Sequence, residues 1–289
     1  MSTKTVLITG ASSGFGEDTA VTLASVGYRV FATMRAVNGK HSTKAKELRS
    51  KGIEVIEMEV QNDASVEAAF EALFQKTGGK LDVIINNAGQ MVQGVSEAIT
   101  IEQTRDMFDV NVLGIQRVMR TALPRLRKNK SGLIINVGSV LGRVTIPFLG
   151  LYGATKFAVD AITESYRYEL SQLGIDVVLL QPSAYPTGLY GHVNASDNGR
   201  EKEYGPVADA SAAFVEFIQG MFSGDKAPNP HDVAKAIADI IATPSGKRPE
   251  RVVVGASFGA DAANAALEPI QNQLIDGLGM QTLKKLKVA

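Results

Sequence analysis

The chain of 289 residues contains no cysteine and no tryptophan, and it has only three histidines. The absence of cysteine excludes disulfides, thiolate nucleophiles and cysteine-ligated zinc, and it is typical of proteins from reducing compartments. Three histidines scattered along the chain do not form a persuasive ligand set. We therefore predict no metal site.

An excess of charge of either sign is also lacking. Thirty lysines and arginines balance thirty aspartates and glutamates, so no net field attracts nucleic acid or an anionic membrane. The longest apolar runs, such as Val177–Leu180, have the length of a strand and not of a membrane span. The first nine residues lack the basic and apolar segments of a signal peptide. We expect a cytoplasmic protein without membrane or nucleic-acid partners.

Short β-branched runs alternate with amphipathic stretches of helical length, which is the pattern of βαβ units and a parallel sheet. The predicted strands are Thr5–Thr9, Tyr28–Thr33, Glu54–Glu59, Val83–Asn86, Gly132–Val137, Asp176–Gln181 and Arg251–Val254. The predicted helices are Gly16–Val26, Ser42–Lys51, Ala64–Gln75, Thr100–Arg127, Leu151–Gln172 and Pro230–Ala242. This alternation predicts an α/β fold with one doubly wound, seven-stranded parallel sheet of the Rossmann type. A single domain is expected over residues 1–255, with a substrate loop at 188–228 and a helical extension at 256–289.

A glycine-rich loop joins the first strand to the first helix, with the spacing Gly10-x3-Gly14-x-Gly16. Glycines permit a sharp turn there and let a phosphate approach bare backbone at the helix N-terminus, where free N–H groups favour an anion. A turn without a ligand is the alternative, but the strand–loop–helix context favours a dinucleotide. The loop residues predicted to contact it are Gly10, Ser12, Ser13, Gly14, Phe15 and Gly16.

The second strand ends in Thr33-Met34-Arg35, without the acid that usually holds the ribose 2′-hydroxyl of NAD. A guanidinium pairs with the 2′-phosphate of NADP in bidentate fashion, and Ser12 offers a further donor. A solvated surface charge is the alternative for Arg35. The strand end favours NADP(H) as the cofactor.

Four polar residues are candidates for chemistry. Tyr152 and Lys156 stand four apart on a predicted helix and therefore share one face. Ser139 follows the fifth strand, at the sheet edge where doubly wound folds bind ligands. Asn111 lies within a long predicted helix, although asparagine is a poor helix former. Each of these residues alone also has an ordinary structural explanation.

Together these motifs resemble the short-chain dehydrogenase/reductase family over roughly residues 5–242. The motifs occur in family order: the glycine loop, Asn86-Asn87-Ala88-Gly89, Asn111, Ser139 and Tyr152-x3-Lys156. With Arg35 after the second strand, the segment Tyr152–Ala158 resembles most the hydroxysteroid and retinol dehydrogenase branch.

The resemblance implies hydride transfer between NADP(H) and a carbonyl or alcohol carbon. Tyr152 would be the proton donor, Ser139 would hydrogen-bond the carbonyl oxygen, and Asn111 would anchor a water. Lys156 would hold the nicotinamide ribose and lower the pKa of Tyr152. Lowering that pKa from about 10 to about 7 takes about 4 kcal/mol, which an ammonium about 4 Å away supplies at an effective dielectric of about 20.

The resemblance also implies further cofactor contacts, and commonly a homodimer or homotetramer. The contacts fall on Glu59, Val60, Asn87, Ala88, Gly89, Pro182 and Thr187. Two positions depart from the family pattern: Glu59-Val60 stands where Asp-Val is frequent, and Pro182-Ser183 stands where Pro-Gly is usual.

An apolar stripe in the substrate loop bears on the substrate. Phe214, Phe217, Ile218, Met221 and Phe222 follow the i, i+3, i+4, i+7, i+8 pattern of one helix face. The stripe either packs on the core or a partner, or it closes over a pocket lined by Leu141, Val144, Phe148, Tyr185 and Tyr190. Arg143 is the one nearby cation that such a pocket could include. The second interpretation predicts a small, uncharged, hydrophobic ketone or secondary alcohol as substrate.

Two other functional classes remain as alternatives. Gly-x-Ser-x-Gly occurs around Ser12 and Ser257, which is the pattern of a serine hydrolase nucleophile. No histidine follows Ser257, however, and a nucleophile at Ser12 would leave Tyr152 and Lys156 unexplained. A nucleotide-sensing protein that has lost turnover is the other alternative, and the intact Ser139, Tyr152 and Lys156 argue against it.

Overall fold

The computed structural model describes residues 3–191 and 199–288, so part of the predicted substrate loop lies outside the described residues. Seven strands form one parallel sheet in the order β3-β2-β1-β4-β5-β6-β7. The strands are β1 (Thr5–Ile8), β2 (Arg29–Met34), β3 (Glu54–Glu57), β4 (Val83–Asn86), β5 (Gly132–Val137), β6 (Ile175–Pro182) and β7 (Arg251–Val254). All seven predicted strands are confirmed, with ends that differ by at most two residues.

The sheet forms the centre of the molecule because its strands are apolar on both faces. Val6 in β1 pairs with Val30 in β2 and with Val83 in β4, and all three are buried. The chain reverses its direction of winding between β1 and β4, which opens a crevice at the carboxyl ends of these strands. Doubly wound sheets bind their ligands at this position.

Helices cover both faces of the sheet. They are α1 (Gly14–Ser25), α2 (Ser42–Ser50), α3 (Asp63–Thr77), α4 (Ile101–Phe108), α5 (Gly114–Asn129), α6 (Gly150–Ser171), α7 (Gly188–Gly191), α8 (Pro206–Met221), α9 (His231–Ala242) and α10 (Ala260–Gly277). One core layer packs Leu23 and Ile237 against the sheet, and the opposite layer packs Phe70, Met119 and Val159. No helix within the described ranges combines the length and apolar character of a bilayer span.

The single helix predicted over Thr100–Arg127 is wrong. Thr100 and Gln103 form a capping box that begins α4, but residues Asp109–Leu113 form a π turn between α4 and α5. Asn111 lies in that turn, where its side chain accepts from the Gln90 N–H and donates to Thr155 Oγ1. These tertiary hydrogen bonds hold the residue inward, and they account for the departure from α-helical spacing. Such turns occur frequently at functional sites.

The last residues of the chain pack on the end of α6. The Gln172 side chain donates to the carbonyl oxygens of Thr282 and Lys285, at 2.6 and 2.9 Å. The Lys287 N–H donates to the Ser171 carbonyl at 2.9 Å. Residues beyond β7 therefore belong to the same single domain as the sheet.

Candidate active site

A cavity of about 530 Å³ opens at the carboxyl ends of β1, β4, β5 and β6. Its wall contains the glycine loop at one side and Ser139, Tyr152 and Lys156 at the other. Of the predicted cofactor contacts, the cavity is lined by Gly10, Ser12, Ser13, Gly14, Phe15, Arg35, Val60, Asn87, Ala88, Gly89, Tyr152, Lys156, Pro182 and Thr187. Gly16, Glu59 and Asn111 lie outside this lining. The fold thus brings residues from four of the five family motifs to one concave surface.

The glycine loop is shaped by its packing against the segment after β4. A Cβ on Gly16 would lie 2.4 Å from the Gly10 carbonyl oxygen and 2.5 Å from Asn87 Nδ2. A Cβ on Gly10, whose φ is +68°, would lie 2.7 Å from Ala88 Cα. These two glycines are therefore required by contacts between chain segments, before any ligand is considered. Gly14, with φ +57°, faces Thr187 across the cleft.

Asn87 braces this loop through its side chain. Its Nδ2 donates to the carbonyl oxygens of Thr9 and Gly10 at 2.9 and 3.1 Å, while Thr9 Oγ1 accepts from the N–H groups of Asn87 and Ala88. The N-cap residue of α1, Ser13, makes no side-chain capping hydrogen bond. The N–H groups in the first turn of α1 therefore remain available to an anion, and the site fits the pyrophosphate of a dinucleotide.

The end of the cavity beside β2 is basic. Arg35 is 62% exposed, and its guanidinium lies 3.6 Å from Glu59 Oε1. Lys40 and His41 also line the cavity here, and sequence reasoning missed both. Burial, Lys40 and Arg35 lower the pKa of His41, in that order of importance. His41 is therefore mainly neutral at pH 7, and Arg35 and Lys40 supply the positive charge.

Tyr152 is buried at the middle of the cavity, where it is 6% exposed. Burial, and next Tyr190, raise the pKa of the Tyr152 hydroxyl above its ordinary value, while a hydrogen bond with Ser139 acts in the opposite direction. The lowered pKa expected at Tyr152 is thus not found in the protein alone. Loss of solvation outweighs the other effects, and Tyr152 is held in its protonated form.

Lys156 lies beneath the tyrosine ring. Its Nζ donates to the Val137 carbonyl at 3.0 Å and stands 5.6 Å from the centre of the Tyr152 ring. Burial lowers the pKa of Lys156 to about 8, against a smaller raising effect of Asp160. The ammonium is therefore retained at neutral pH, close to the phenol but hydrogen-bonded to the backbone.

The side chains of Ser139 and Asn111 have different surroundings. Ser139 Oγ accepts from the Leu141 N–H at 3.1 Å and lies 3.5 Å from the Pro182 carbonyl, at the cavity wall. Asn111 is 1% exposed. Its amide is hydrogen-bonded to both main-chain groups of Gln90 and to Thr155. Both amide hydrogens of Asn111 are therefore used within the protein, and an anchored water at this residue stays a prediction.

The other end of the cavity is apolar. Leu141, Tyr185 and Tyr190 line it, but Val144 and Phe148 do not. Val144 packs in the apolar cluster around Tyr152. The Phe148 ring centre lies 6.1 Å from that of Phe214. From the apolar stripe, Phe214, Phe217 and Ile218 line the cavity. Apolar lining residues that sequence reasoning missed are Met91, Val92, Ile146, Leu149 and Phe258. They come from loops whose approach to the cavity is set by the tertiary fold.

The comparisons with known proteins agree with this geometry. Residues 4–198 match the family model described as short chain dehydrogenase. The protein is a member of the short-chain dehydrogenase/reductase family. It is 34% identical to the 3-ketodihydrosphingosine reductase of Bacteroides thetaiotaomicron over 76% of this chain and 77% of that protein. It is 32% identical to retinol dehydrogenase 8 of Bos taurus, over 82% and 78%.

Two solved structures show the same fold. A short-chain dehydrogenase from Streptomyces avermitilis superimposes with a TM-score of 0.77 at 27% identity, over 96% of each chain. The 3-ketoacyl-(acyl-carrier-protein) reductase from Brucella melitensis, solved with NADH, gives 0.72 at 27% identity over 88% of this chain and 98% of that one. The protein is thus a hydride-transferring oxidoreductase of the short-chain family with a nicotinamide cofactor, and this excludes a serine hydrolase.

Proposed function

We propose that this short-chain dehydrogenase/reductase uses NADP(H) to interconvert an uncharged hydrophobic ketone and its secondary alcohol, with Tyr152 as the general acid–base. The observation that carries the proposal is the division of one continuous cavity. Arg35 and Lys40 line its basic end, Tyr152 stands in the middle, and an apolar wall closes the far end. A dinucleotide phosphate, a reacting carbonyl and an apolar substituent each find a matching environment.

The cofactor would be held by groups already described. The first turn of α1 would bind the pyrophosphate. Arg35 and Lys40 would bind the 2′-phosphate. Lys156 and Tyr152 would hold the nicotinamide ribose. When bound, the nicotinamide supplies or accepts the hydride. A guanidinium in place of an acid at the end of β2 supports NADP(H) over NAD(H).

The state of Tyr152 suits proton donation during reduction. Its buried hydroxyl is protonated and hydrogen-bonded with Ser139, so the proton passes from the phenol to the carbonyl oxygen as that oxygen gains charge. Ser139 donates a second hydrogen bond to the same oxygen. The Lys156 ammonium, 5.6 Å from the ring centre, stabilises the phenolate that remains.

The apolar end of the cavity supports an uncharged substrate. Arg143, the one cation that the sequence placed near the pocket, lies outside the lining, and its Nε donates to Asn264 Oδ1 at 2.8 Å. Each methylene buried against Phe214, Ile218 and Leu149 is expected to contribute about 0.8 kcal/mol. The reductase and retinol dehydrogenase names of two relatives are consistent with hydrophobic carbonyl or alcohol substrates. A homodimer or homotetramer and a cytoplasmic location belong to the same proposal. The catalytic unit predicted over residues 1–255 extends further in it, since Phe258 lines the cavity.

The test is NADPH oxidation against a homologous series of alkyl and aryl ketones, set beside small α-keto acids. We expect kcat/KM to rise a few-fold for each added methylene, because each is buried in the apolar end. A preference for the keto acids, or no gain with chain length, would contradict the substrate assignment. Tight binding of NADPH without turnover of any ketone would favour the nucleotide-sensing alternative.

A further inference from the structure

Four side chains form a ring of polar contacts behind the active site, made of three hydrogen bonds and one Arg143–Asp160 contact. Arg143 Nε donates to Asn264 Oδ1 at 2.8 Å, and Asn264 Nδ2 donates to Gln181 Oε1 at 2.7 Å. Gln181 Nε2 donates to Asp160 Oδ2 at 2.8 Å, and Arg143 Nε lies 3.4 Å from the same oxygen. We call Arg143, Asp160, Gln181 and Asn264 the Asp160 ring. Both ends of each amide are used, so each side chain fixes the orientation of the next.

Three members of the ring lie next to residues of the site. Arg143 follows Ser139 by four residues, Asp160 follows Lys156 by one helical turn, and Gln181 directly precedes Pro182. Asp160 and Gln181 are 2% and 0% exposed. These neighbours come from three different elements. The ring therefore connects the segment that carries Ser139, the helix that carries Lys156 and the turn after β6.

The loop that carries Ser139 packs directly on the Asp160 carboxylate. A Cβ on Gly142 would lie 2.6 Å from Asp160 Cγ, and a Cβ on Gly138 would lie 3.1 Å from Asp160 Oδ1. Glycine on both sides of Ser139 thus permits this contact. A shift of the carboxylate is therefore transmitted to the Ser139 loop, because no space separates them.

The fourth member comes from the end of the chain. Asn264 lies on α10, beyond the last strand, and supplies both a donor and an acceptor to the ring. Without it, Gln181 Oε1 loses its hydrogen-bond donor and Arg143 Nε loses its hydrogen-bond acceptor. The Gln181 amide is then free to turn over. Arg143 and Arg251 also face Glu164, at 3.8 and 2.8 Å, so an Arg143 released from Asn264 has a competing carboxylate within reach.

We propose that Asn264 is a positioning residue, through which α10 holds Ser139 and Lys156 in place for turnover. The proposal rests on the proposed carbonyl reduction, since the groups it positions are those assigned to that reaction. The C-terminal helix is then a working part of the active site, although it contributes no residue to the reacting centre.

The experiment replaces Asn264 by leucine, which keeps the size and removes both hydrogen bonds. Asn272→Leu is the matched control, because Asn272 lies on the same helix and its side chain has no hydrogen bond with any other described residue. We expect Asn264→Leu to lower kcat about tenfold while KM for NADPH stays within about twofold, since misplaced groups impair the chemical step more than binding. If it fails to fold, Asn264→Asp, which cannot donate to Gln181, takes its place.

A double variant tests whether the effect passes through the ring. Asp160→Asn combined with Asn264→Leu should lose little more kcat than the more impaired single variant, because both open the same ring. Wild-type kcat in both Asn264 variants would overturn the proposal, and so would fully multiplicative losses in the double variant.

Hydrogen exchange supplies a readout that does not require turnover. Exchange in segments 138–143 and 180–183 should rise in Asn264→Leu and not in Asn272→Leu, while segment 63–86 stays unchanged in both. If the wild type reduces no ketone, the proposed function fails, and exchange alone decides the role of Asn264: faster exchange supports it and unchanged exchange overturns it.

Discussion

Replacing Arg35 by alanine is expected to weaken NADPH binding selectively. A charge-assisted hydrogen bond contributes about 1.5–3 kcal/mol. Arg35 is 62% exposed and shares its charge with Glu59 at 3.6 Å, so solvent and the carboxylate place the effect at the lower end of that range. A loss of about 1.4 kcal/mol corresponds to a tenfold rise in KM. Lys40 lines the same end of the cavity, so binding should be weakened but not abolished.

The assay compares KM for NADPH and NADH in wild type, Arg35→Ala and Arg29→Ala. Arg29 begins the same strand at its opposite end, where its guanidinium pairs with Glu54 at 2.8 Å. We expect KM for NADPH to rise tenfold or more only in Arg35→Ala, with KM for NADH changed less than about twofold. Equal use of both nucleotides by the wild type, or equal effects of the two variants, would refute the reasoning.

Two further predictions concern stability. Gly16→Ala should lower the free energy of unfolding in denaturant by about 1–3 kcal/mol, because its Cβ would lie 2.4 Å from the Gly10 carbonyl oxygen. The control is Gly220→Ala at an exposed helical position with open space around the Cβ, and it should not lower this free energy. Equal effects of the two variants would count against the packing argument. Burial raises the pKa of Asp160 from 3.8 to about 7, against Arg143 and Arg251, so the native carboxyl keeps a proton that the unfolded chain releases. Relative to Asp160→Asn, the unfolding free energy of the wild type should therefore fall by up to about 4 kcal/mol as pH rises from about 4 to about 7. If the difference in unfolding free energy between the two proteins does not change with pH, the prediction is wrong.

The sheet was predictable from the sequence because its strands are marked by local pattern. Runs such as Gly132–Val137 are apolar on consecutive residues, as strands covered on both faces must be, and their ends were placed within two residues. The glycine loop, Ser139, Tyr152 and Lys156 were also found, since each has a fixed spacing from a strand or helix end. The fold then brought them to one cavity, as the topology requires.

Features set by tertiary contacts were not predictable in this way. The π turn at Asp109–Leu113 depends on hydrogen bonds from Asn111 to Gln90 and Thr155, far apart in the chain. Lys40 and His41 reach the cavity only because their loop folds back toward it, although two basic residues soon after Arg35 were a usable signal. The raised pKa of Tyr152 follows from burial, which the spacing of Tyr152 and Lys156 does not reveal.

The most direct test of the central claim is the turnover of Tyr152→Phe with its best ketone, measured together with NADPH binding by nucleotide fluorescence. The account predicts that kcat falls by about 10²–10⁴-fold while the dissociation constant for NADPH stays within about threefold, because only the proton donor is removed. Tyr168→Phe, on the same helix with its hydroxyl 3.5 Å from Glu164, should leave both quantities unchanged. A Tyr152→Phe variant that retains near wild-type kcat would contradict the assignment of Tyr152 as the acid.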